Sequence, residues 1–469
     1  MDKPKLLDKI KLEHIILGVI LIFGLFIRVY ALGVPPLWVD EAISATTSVN
    51  IIEGGVPVLD SGMLYGRAYL FHYTQAFFLL FGETDFLVRF ASVIIGLLTI
   101  LLAYFVGREY SKSGGVIAAL FVAVFYLEVF YSRQGRFYQL FQLLFFSSLY
   151  FLYKSKNDIK YLYFSLITLI LTINTQIAGL ILCPFFIIHI LMYNKKAKRL
   201  WAIVPTIPLV QKFLSAVGLS TGAGEGAINY ASRYFDFTKN IMYLLILFIP
   251  GVVWSFIKKK RLTTLIVLPS LLLLISIFTL ETFALRYSYF FVFPLVLYTS
   301  LLLSFLFEKY GNIILITIFA VLIIPSNLIF PSTGVNIIKP IDYNYNDYSA
   351  PEINYKNLDP ALIAELQDPN NIAIGYFTPS LEWYVTKPDY VLQFSMDGRE
   401  SSQVIRDGID VYSGQPVLDR MLDGEEYYIV ADTFSTSKLK PTQVDNLNYL
   451  TEGCEIVYES SDLKIYKCQ

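Results

Sequence analysis

Residues 86–107 read FLVRFASVIIGLLTILLAYFVG, an unbroken apolar stretch whose one charge, Arg89, lies near its start. A helix needs about 20 apolar residues to cross the hydrocarbon core of a bilayer, so this stretch reads as a membrane span. Similar segments recur on both sides of it, at 14–32, 114–131, 138–153, 161–174, 177–193, 200–218, 241–257, 262–280, 286–307 and 313–330. The expected fold class is therefore a polytopic α-helical membrane protein of about 11 spans. Composition agrees. The 469 residues are 55% hydrophobic and 16% charged, against roughly 25% charged in a typical soluble domain. A soluble fold of this size would lack the polar surface to clothe it. The formal net charge of −1 argues against nucleic acid as a partner, because phosphate-backbone binding leaves a strongly basic footprint. Three cysteines, Cys183, Cys454 and Cys468, exclude a disulfide-dense scaffold and a zinc ribbon.

The loops between spans alternate in chemistry. One set is lysine-rich: Lys3, Lys5, Lys9 and Lys11, then Arg108 with Lys112, Lys154 with Lys156, Lys195 through Arg199, and Lys258 through Arg261. The excess of Lys and Arg in short cytoplasmic loops assigns this set, and the N-terminus, to the inside. The first span lacks the small-residue cleavage pattern of a signal peptide and is expected to be retained. The other set, 33–85, 128–137, 219–240 and 280–286, mixes acids, aromatics and isolated arginines and is assigned to the outside. Within it, residues 69–81 are apolar but too short to span, and are expected to form an aromatic-rich interfacial helix. An odd number of spans leaves the C-terminal segment outside as well, in a multi-pass protein of the plasma membrane.

After Pro331 the sequence turns to Asn, Asp, Tyr, Pro and Ser, marking a boundary between a membrane domain, 1–330, and an extracytoplasmic domain, 331–469. Short runs at 371–376, 426–431, 454–458 and 463–466 predict strands, with helices near 360–367 and 441–450. The C-terminal domain is thus expected to be mixed α/β. Cys454 and Cys468 lie on predicted neighbouring strands in an oxidising compartment, and the residues leave open whether they pair.

Chemistry-bearing residues gather in the outward set. Asp40 and Glu41 follow Trp38 just beyond the first span. A capping aspartate for the helix expected to end at Gly54 is one reading; a general base at the membrane surface is the other. Adjacent helical residues point about 100° apart, so Asp40 is assigned the base and Glu41 a supporting role. Arg133 and Arg136, three apart, share one helical face. On the outer side they are misplaced as membrane anchors, and their planar forks suit a phosphate or carboxylate; pairing with Glu83, Asp85 or Glu128 is the structural alternative. Arg286 with Tyr287, and Arg28, Arg67 and Arg89, complete the outer cations. Such a group implies an anionic ligand at the lipid interface, and a lipid phosphate is the simplest candidate. His72 is assigned to ligand contact, with satisfaction by core packing as its competitor. No HExxH, P-loop, GxSxG, Rossmann or Cys/His metal spacing is present.

These residues resemble the polytopic glycosyltransferases of the C-type fold, particularly the dolichyl-phosphate-mannose protein mannosyltransferases and aminoarabinose transferases. The resemblance lies in Arg28-x-Tyr30, Leu37-Trp-Val-Asp40-Glu41-Ala42, Phe86-Leu-Val-Arg89-Phe-Ala-Ser92, Tyr131-Ser-Arg133-Gln-Gly-Arg136-Phe-Tyr138 and Leu285-Arg286-Tyr287. It implies transfer of a sugar from a polyprenyl-phosphate carrier to a glycolipid, polysaccharide or protein acceptor on the extracytoplasmic face, with inversion at the anomeric carbon. Asp40 matches the family's essential first-loop acid, and Arg67 and Arg286 match residues that contact donor phosphate. Arg133 and Arg136 are assigned to the same phosphate, and Trp38, Tyr65, His72, Glu128, Tyr138 and Tyr287 to the substrate pocket. Arginines suffice for a monophosphate leaving group, so no cofactor is required, although a divalent metal is compatible. The chain departs from relatives at Tyr138-Gln139, where a second acid can stand, and at Asn174-Thr175-Gln176, where a His often stands. Competing readings are a flippase or transporter of an anionic lipid and a noncatalytic lipid-linked-glycan binder. Against the first, ionisable groups gather at one face instead of spreading through the midplane in paired broken helices.

Overall fold

A computed structural model describes residues 12–59, 64–193, 242–277, 285–314, 353–376, 379–386, 388–392, 424–436 and 451–469, with isolated positions at 317, 402–403, 444, 447–448 and 450. The spans expected at 200–218 and 313–330, the loop 219–240 and most of the helix expected near 441–450 lie outside the described residues. Described helices are, in chain order, α1 (Leu12–Val29), α2 (Val39–Gly54), α3 (Tyr69–Leu79), α4 (Asp85–Arg108), α5 (Lys112–Val124), α6 (Tyr126–Tyr131), α7 (Tyr138–Lys154), α8 (Lys160–Thr175), α9 (Cys183–Tyr193), α10 (Met242–Ile277), α11 (Val292–Tyr310), α12 (Pro360–Gln367) and α13 (Pro379–Tyr384). The chain divides into two units, Met1–Leu32 with Gly66–Asn344, and Gly33–Tyr65 with Tyr345–Gln469. The division differs from the boundary expected at 330/331. Residues 33–65 of the first loop group with the C-terminal segment, where Lys356 and Tyr384 bind the backbone of Gly33, Val34, Pro35 and Leu37 and α13 packs on α2.

In the first unit the span at 86–107 is α4. Thr84 caps it by accepting from the Leu87 N–H at 3.3 Å, which satisfies one of the orphan donors of a helix N-terminus. Helix α1 buries one stripe, Leu17, Ile20, Gly24, Ile27 and Arg28, and exposes Ile15, Val19, Ile22, Phe23 and Phe26. A polar solvent would not tolerate that second face; lipid does. Among the described residues, three helical stretches, Leu12–Val29, Asp85–Arg108 and Tyr289–Tyr310, are long and apolar enough to cross a membrane. The run expected as one span at 114–131 is two helices, α5 and α6, broken at Phe125 by an extended backbone (φ −63°, ψ 128°). The two spans expected at 241–257 and 262–280 form α10, broken at Lys259 (φ −140°, ψ 59°) inside the basic run.

Helices α4 and α5 approach through glycines. A Cβ on Gly107 would lie 2.5 Å from the Gly114 carbonyl oxygen, and one on Gly114 would lie 2.9 Å from that of Gly107. Small residues let membrane helices meet backbone to backbone, where packing replaces the absent hydrophobic drive. The helix ends then sort by charge. Arg108, ending α4, meets Glu13 at the start of α1 at 2.8 Å, and Lys154, ending α7, meets Glu109 at 2.7 Å. At the opposite end of α4, Arg89 donates to the Leu32 carbonyl at 2.9 Å.

In the second unit a mixed sheet runs in the order β3-β2-β1-β4-β6-β5, from β1 (Ile372–Tyr376), β2 (Tyr390–Leu392), β3 (Ser402–Gln403), β4 (Tyr427–Asp432), β5 (Glu455–Glu459) and β6 (Leu463–Cys468). Strand β1 pairs in parallel with β2 and β4, and β6 pairs antiparallel with β4 and β5. Period-2 alternation puts Tyr428, Val430, Leu463 and Ile465 on one face against Leu362, Leu366 and Leu381, and Ile429 with Cys468 on the other. On the rim, the Tyr428 hydroxyl and then the Lys467 ammonium hold Glu365 below the usual carboxylate range. The predicted strands are observed; β2 and β3 were not expected, being too short to show alternation.

Cys454 and Cys468 form a disulfide. It closes a short loop around the β5–β6 hairpin, for which chain-entropy loss in the unfolded state is worth about 3 kcal/mol. Replacing both cysteines by serine should raise hydrogen exchange across β5 and β6 and lower the melting temperature of the second unit, as read by exchange mass spectrometry on the full chain.

Candidate active site

The acidic turn belongs to the second unit. Trp38, not Asp40, is the N-cap of α2, with extended backbone (φ −78°, ψ 163°). The Glu41 N–H donates to the Trp38 carbonyl at 2.8 Å, and Glu41 Oε2 accepts from the Trp38 N–H at 3.3 Å. Glu41 is fully buried, and this reciprocal contact is half of a capping box. It corrects the capping assignment: the acid that meets the N-cap backbone is Glu41, three residues into the turn, and Asp40 is half-buried. The helix ends as expected, at Gly54, with Gly55 in the left-handed region (φ 77°). Trp38 and Tyr65 are buried, and the Tyr65 N–H donates to the Pro57 carbonyl at 2.7 Å.

Two arginines at the loop ends of the first unit hold backbone carbonyls. Arg28 and Arg133 bond extensively to backbone oxygen. Arg28 Nη1 donates to the Gly24 and Ala123 carbonyls at 3.1 and 2.7 Å, and its Nη2 to Val122 at 3.2 Å. Arg133 Nη1 reaches the carbonyls of Ile27, Arg28 and Tyr30 at 3.0, 2.9 and 2.8 Å. The last carbonyls of a helix have no intrahelical donors, and here a guanidinium from the second loop supplies them. Arg133, expected at a phosphate, is thus bound to the end of α1.

Arg67 and Arg136 share an aromatic neighbour. Both guanidiniums lie over the Phe137 ring, at 5.4 and 4.7 Å from its centroid, and Arg136 is also 5.9 Å from the ring of Tyr138. Two cations are therefore held at one aromatic ring where α7 begins. Arg67 is fixed by its neighbour: Ala68 takes a left-handed backbone (φ 55°), and the Ala68 and Tyr69 N–H groups donate to the Asn174 carbonyl and Oδ1 at 2.9 and 3.1 Å. A non-glycine residue at positive φ costs energy, which Asn174 offsets. Gly135 lets this turn lie on α4, since a Cβ there would come within 2.7 Å of Val88 Cγ1. His72 is fully buried on α3 against Phe71 (ring centroids 5.7 Å apart).

Glu128 is fully buried. Its Oε1 accepts from Gln142 Nε2 at 3.0 Å and its Oε2 from the Tyr289 hydroxyl at 2.7 Å. Gln139 joins the same hydroxyl and donates to Thr99 Oγ1 at 2.8 Å. Tyr289 stacks on Tyr131 (4.0 Å), which meets Tyr138 edge-on at 6.1 Å. Tyr289 stands three residues after Arg286, whose guanidinium lies 5.6 Å from the Tyr287 ring. Glu128, expected in a substrate pocket, thus anchors the late Arg-Tyr segment to the second loop. Among the described residues, no three His, Cys, Asp or Glu approach closely enough to hold a metal ion.

A family model described as dolichyl-phosphate-mannose-protein mannosyltransferase matches residues 67–219. ArnT from Cupriavidus metallidurans in the apo state superposes with a TM-score of 0.64 at 11% identity, over 96% of this chain and 98% of that one. The same protein bound to undecaprenyl phosphate gives 0.62 at 11% identity, over 96% and 97%. The Archaeoglobus fulgidus oligosaccharyltransferase in its apo form gives 0.55 at 12% identity, over 91% and 70%. The fold is that of the C-type polytopic glycosyltransferases. No curated protein sequence matches the chain.

Within the C-type fold, sequence reasoning found the outer arginines but did not separate their roles, and it missed Asn174, Gln142 and Tyr289 as anchors. The polar departure noted at 174 was a signal; nothing marks Tyr289 among 34 tyrosines. Burial separates the expected phenotypes. Arg133→Ala strands several buried carbonyls, each worth about 1–3 kcal/mol, and should lower the melting temperature and folded yield in detergent. Arg67 is exposed, and Arg67→Ala should lower both less than Arg133→Ala does.

Proposed function

We propose that this protein is an integral-membrane glycosyltransferase that moves a sugar from a polyprenyl-phosphate carrier to an acceptor on the extracytoplasmic face, with inversion. The observation that carries the reading is the convergence of Arg67 and Arg136 on Phe137 in a fold shared with a protein whose structure holds undecaprenyl phosphate. Fold alone does not assign function; the cations at the loop–helix junction supply the chemistry.

Breaking the sugar–phosphate bond builds positive charge on the sugar and negative charge on the departing lipid phosphate. Arg67, Arg136 and Arg286 stabilise that phosphate more in the transition state than in the ground state. Asp40 takes the proton of the acceptor as the acceptor attacks the anomeric carbon on the face opposite the leaving group. Glu41 fixes the turn through its contact with Trp38. A divalent metal is compatible with this scheme and no step depends on one. The disulfide supports an oxidising, extracytoplasmic location for the second unit, and the clustering of Arg108 and Lys154 at one set of helix ends supports a cytoplasmic assignment for that side.

Asp40→Asn should lower kcat for transfer from undecaprenyl-phosphate-linked sugars by about 10²–10⁴-fold and leave the Kd for undecaprenyl phosphate unchanged. Arg67→Ala and Arg136→Ala should each weaken that Kd by roughly tenfold or more, the worth of a charged hydrogen bond. Normal transfer by Asp40→Asn would remove the assigned base.

A further inference from the structure

The turn that leads to Asp40 is held by two side chains far away in sequence. Residues 33–37 read Gly-Val-Pro-Pro-Leu, and the prolines contribute carbonyls without N–H donors, so the segment is rich in acceptors. Lys356 Nζ donates to the carbonyls of Gly33, Val34 and Pro35 at 2.9, 3.2 and 3.4 Å, three acceptors for the three protons of an ammonium. Leu37 carries the first N–H after the prolines, and it donates to the Tyr384 hydroxyl at 2.5 Å. The next residue, Trp38, is the N-cap of α2, and Asp40 follows two positions on. Helix α2 packs on α13, the helix that ends in Tyr384.

Both holding residues are themselves fixed by the sheet domain. The Tyr355 ring stacks on Tyr384 with centroids 6.5 Å apart, and Lys356 Nζ lies 5.8 Å from the same ring. The Asn354 N–H donates to Asp462 Oδ2 at 2.8 Å, which ties this strand of contacts to the turn before β6. Gln367 Nε2 donates to the Val385 carbonyl at 2.6 Å, joining the end of α12 to the end of α13. Lys356 is exposed and Tyr384 half-buried, so the hydroxyl carries more of the hold than the ammonium, whose bonds compete with water.

We propose that the C-terminal sheet domain is a positioning device for the acidic turn, with Tyr384 and Lys356 as positioning residues that set where α2 starts and hence where Asp40 is presented. The proposal rests on the assignment of Asp40 as the base. The test uses the full-length protein in nanodiscs, as Tyr384→Phe, Lys356→Met and Lys356→Arg. Readouts are hydrogen exchange over 33–41, the Kd for undecaprenyl phosphate, and kcat and KM with undecaprenyl-phosphate-linked hexose and pentose donors. In Tyr384→Phe, exchange over 33–41 should accelerate about five- to tenfold, the worth of one backbone bond. Its kcat should fall by about tenfold or more through misplacement of the base, with Kd and KM unchanged. Lys356→Met should do the same to a smaller degree and Lys356→Arg should restore it. Unaltered exchange over 33–41 in both Tyr384→Phe and Lys356→Met would overturn the proposal. So would loss of protection spreading to β4 and β6, which marks a role in domain stability alone. Faster exchange over 33–41 with undiminished kcat would keep the hold and overturn the role given to Asp40.

Discussion

Backbone carbonyls at the end of a membrane helix must find donors, and in this protein arginine supplies many of them. Arg133 Nη1 serves the carbonyls of three residues at the end of α1, and Arg28 and Arg89 serve others nearby. A buried carbonyl without a partner costs several kcal/mol in hydrocarbon, and these charge-assisted bonds join the ends of α1, α4 and α5 to the loop after α6. The rest of the outer side depends on this. Only when the second loop is fixed on α1 and α4 can Arg136 and Arg67 be held at the Phe137 ring, and only then does the Glu128–Tyr289 contact tie the late Arg-Tyr segment to the same place.

The division of labour among the arginines explains how far the sequence was legible. Apolar spans and the short strands could be read, because each follows from a local period or a count. α4 and the four predicted strands stand where that reading put them. An arginine that binds buried carbonyls and an arginine that lies over an aromatic ring look alike in one sequence. Both are isolated cations in aromatic surroundings, and only the partner distinguishes them. Arg133 and Arg136 are three residues apart, and the turn between them is seated against α4 by Gly135 on Val88.

Asp40 and Glu41 were harder still. The pattern of an acid before a helix was legible, yet the identity of the capping residue depends on where the chain enters α2. That entry is set by Tyr384 and Lys356, distant in sequence. Glu41, pulled back onto the Trp38 N–H, becomes part of the scaffold. The same long-range contacts explain why the compact units are not contiguous in sequence: the first loop offers carbonyls to Lys356 and an N–H to Tyr384.

The bond between the Leu37 N–H and Tyr384 spans 347 residues, and it imposes an order in time as well as in space. At roughly 5–20 residues per second of synthesis, the acidic turn is made about 20 to 70 seconds before the side chain that holds it. During that interval the membrane helices insert and pair, while the turn before α2 lacks its tyrosine. A nascent chain therefore carries its carboxylates unplaced, and the turn gains its support only once the downstream sheet has been translated and folded.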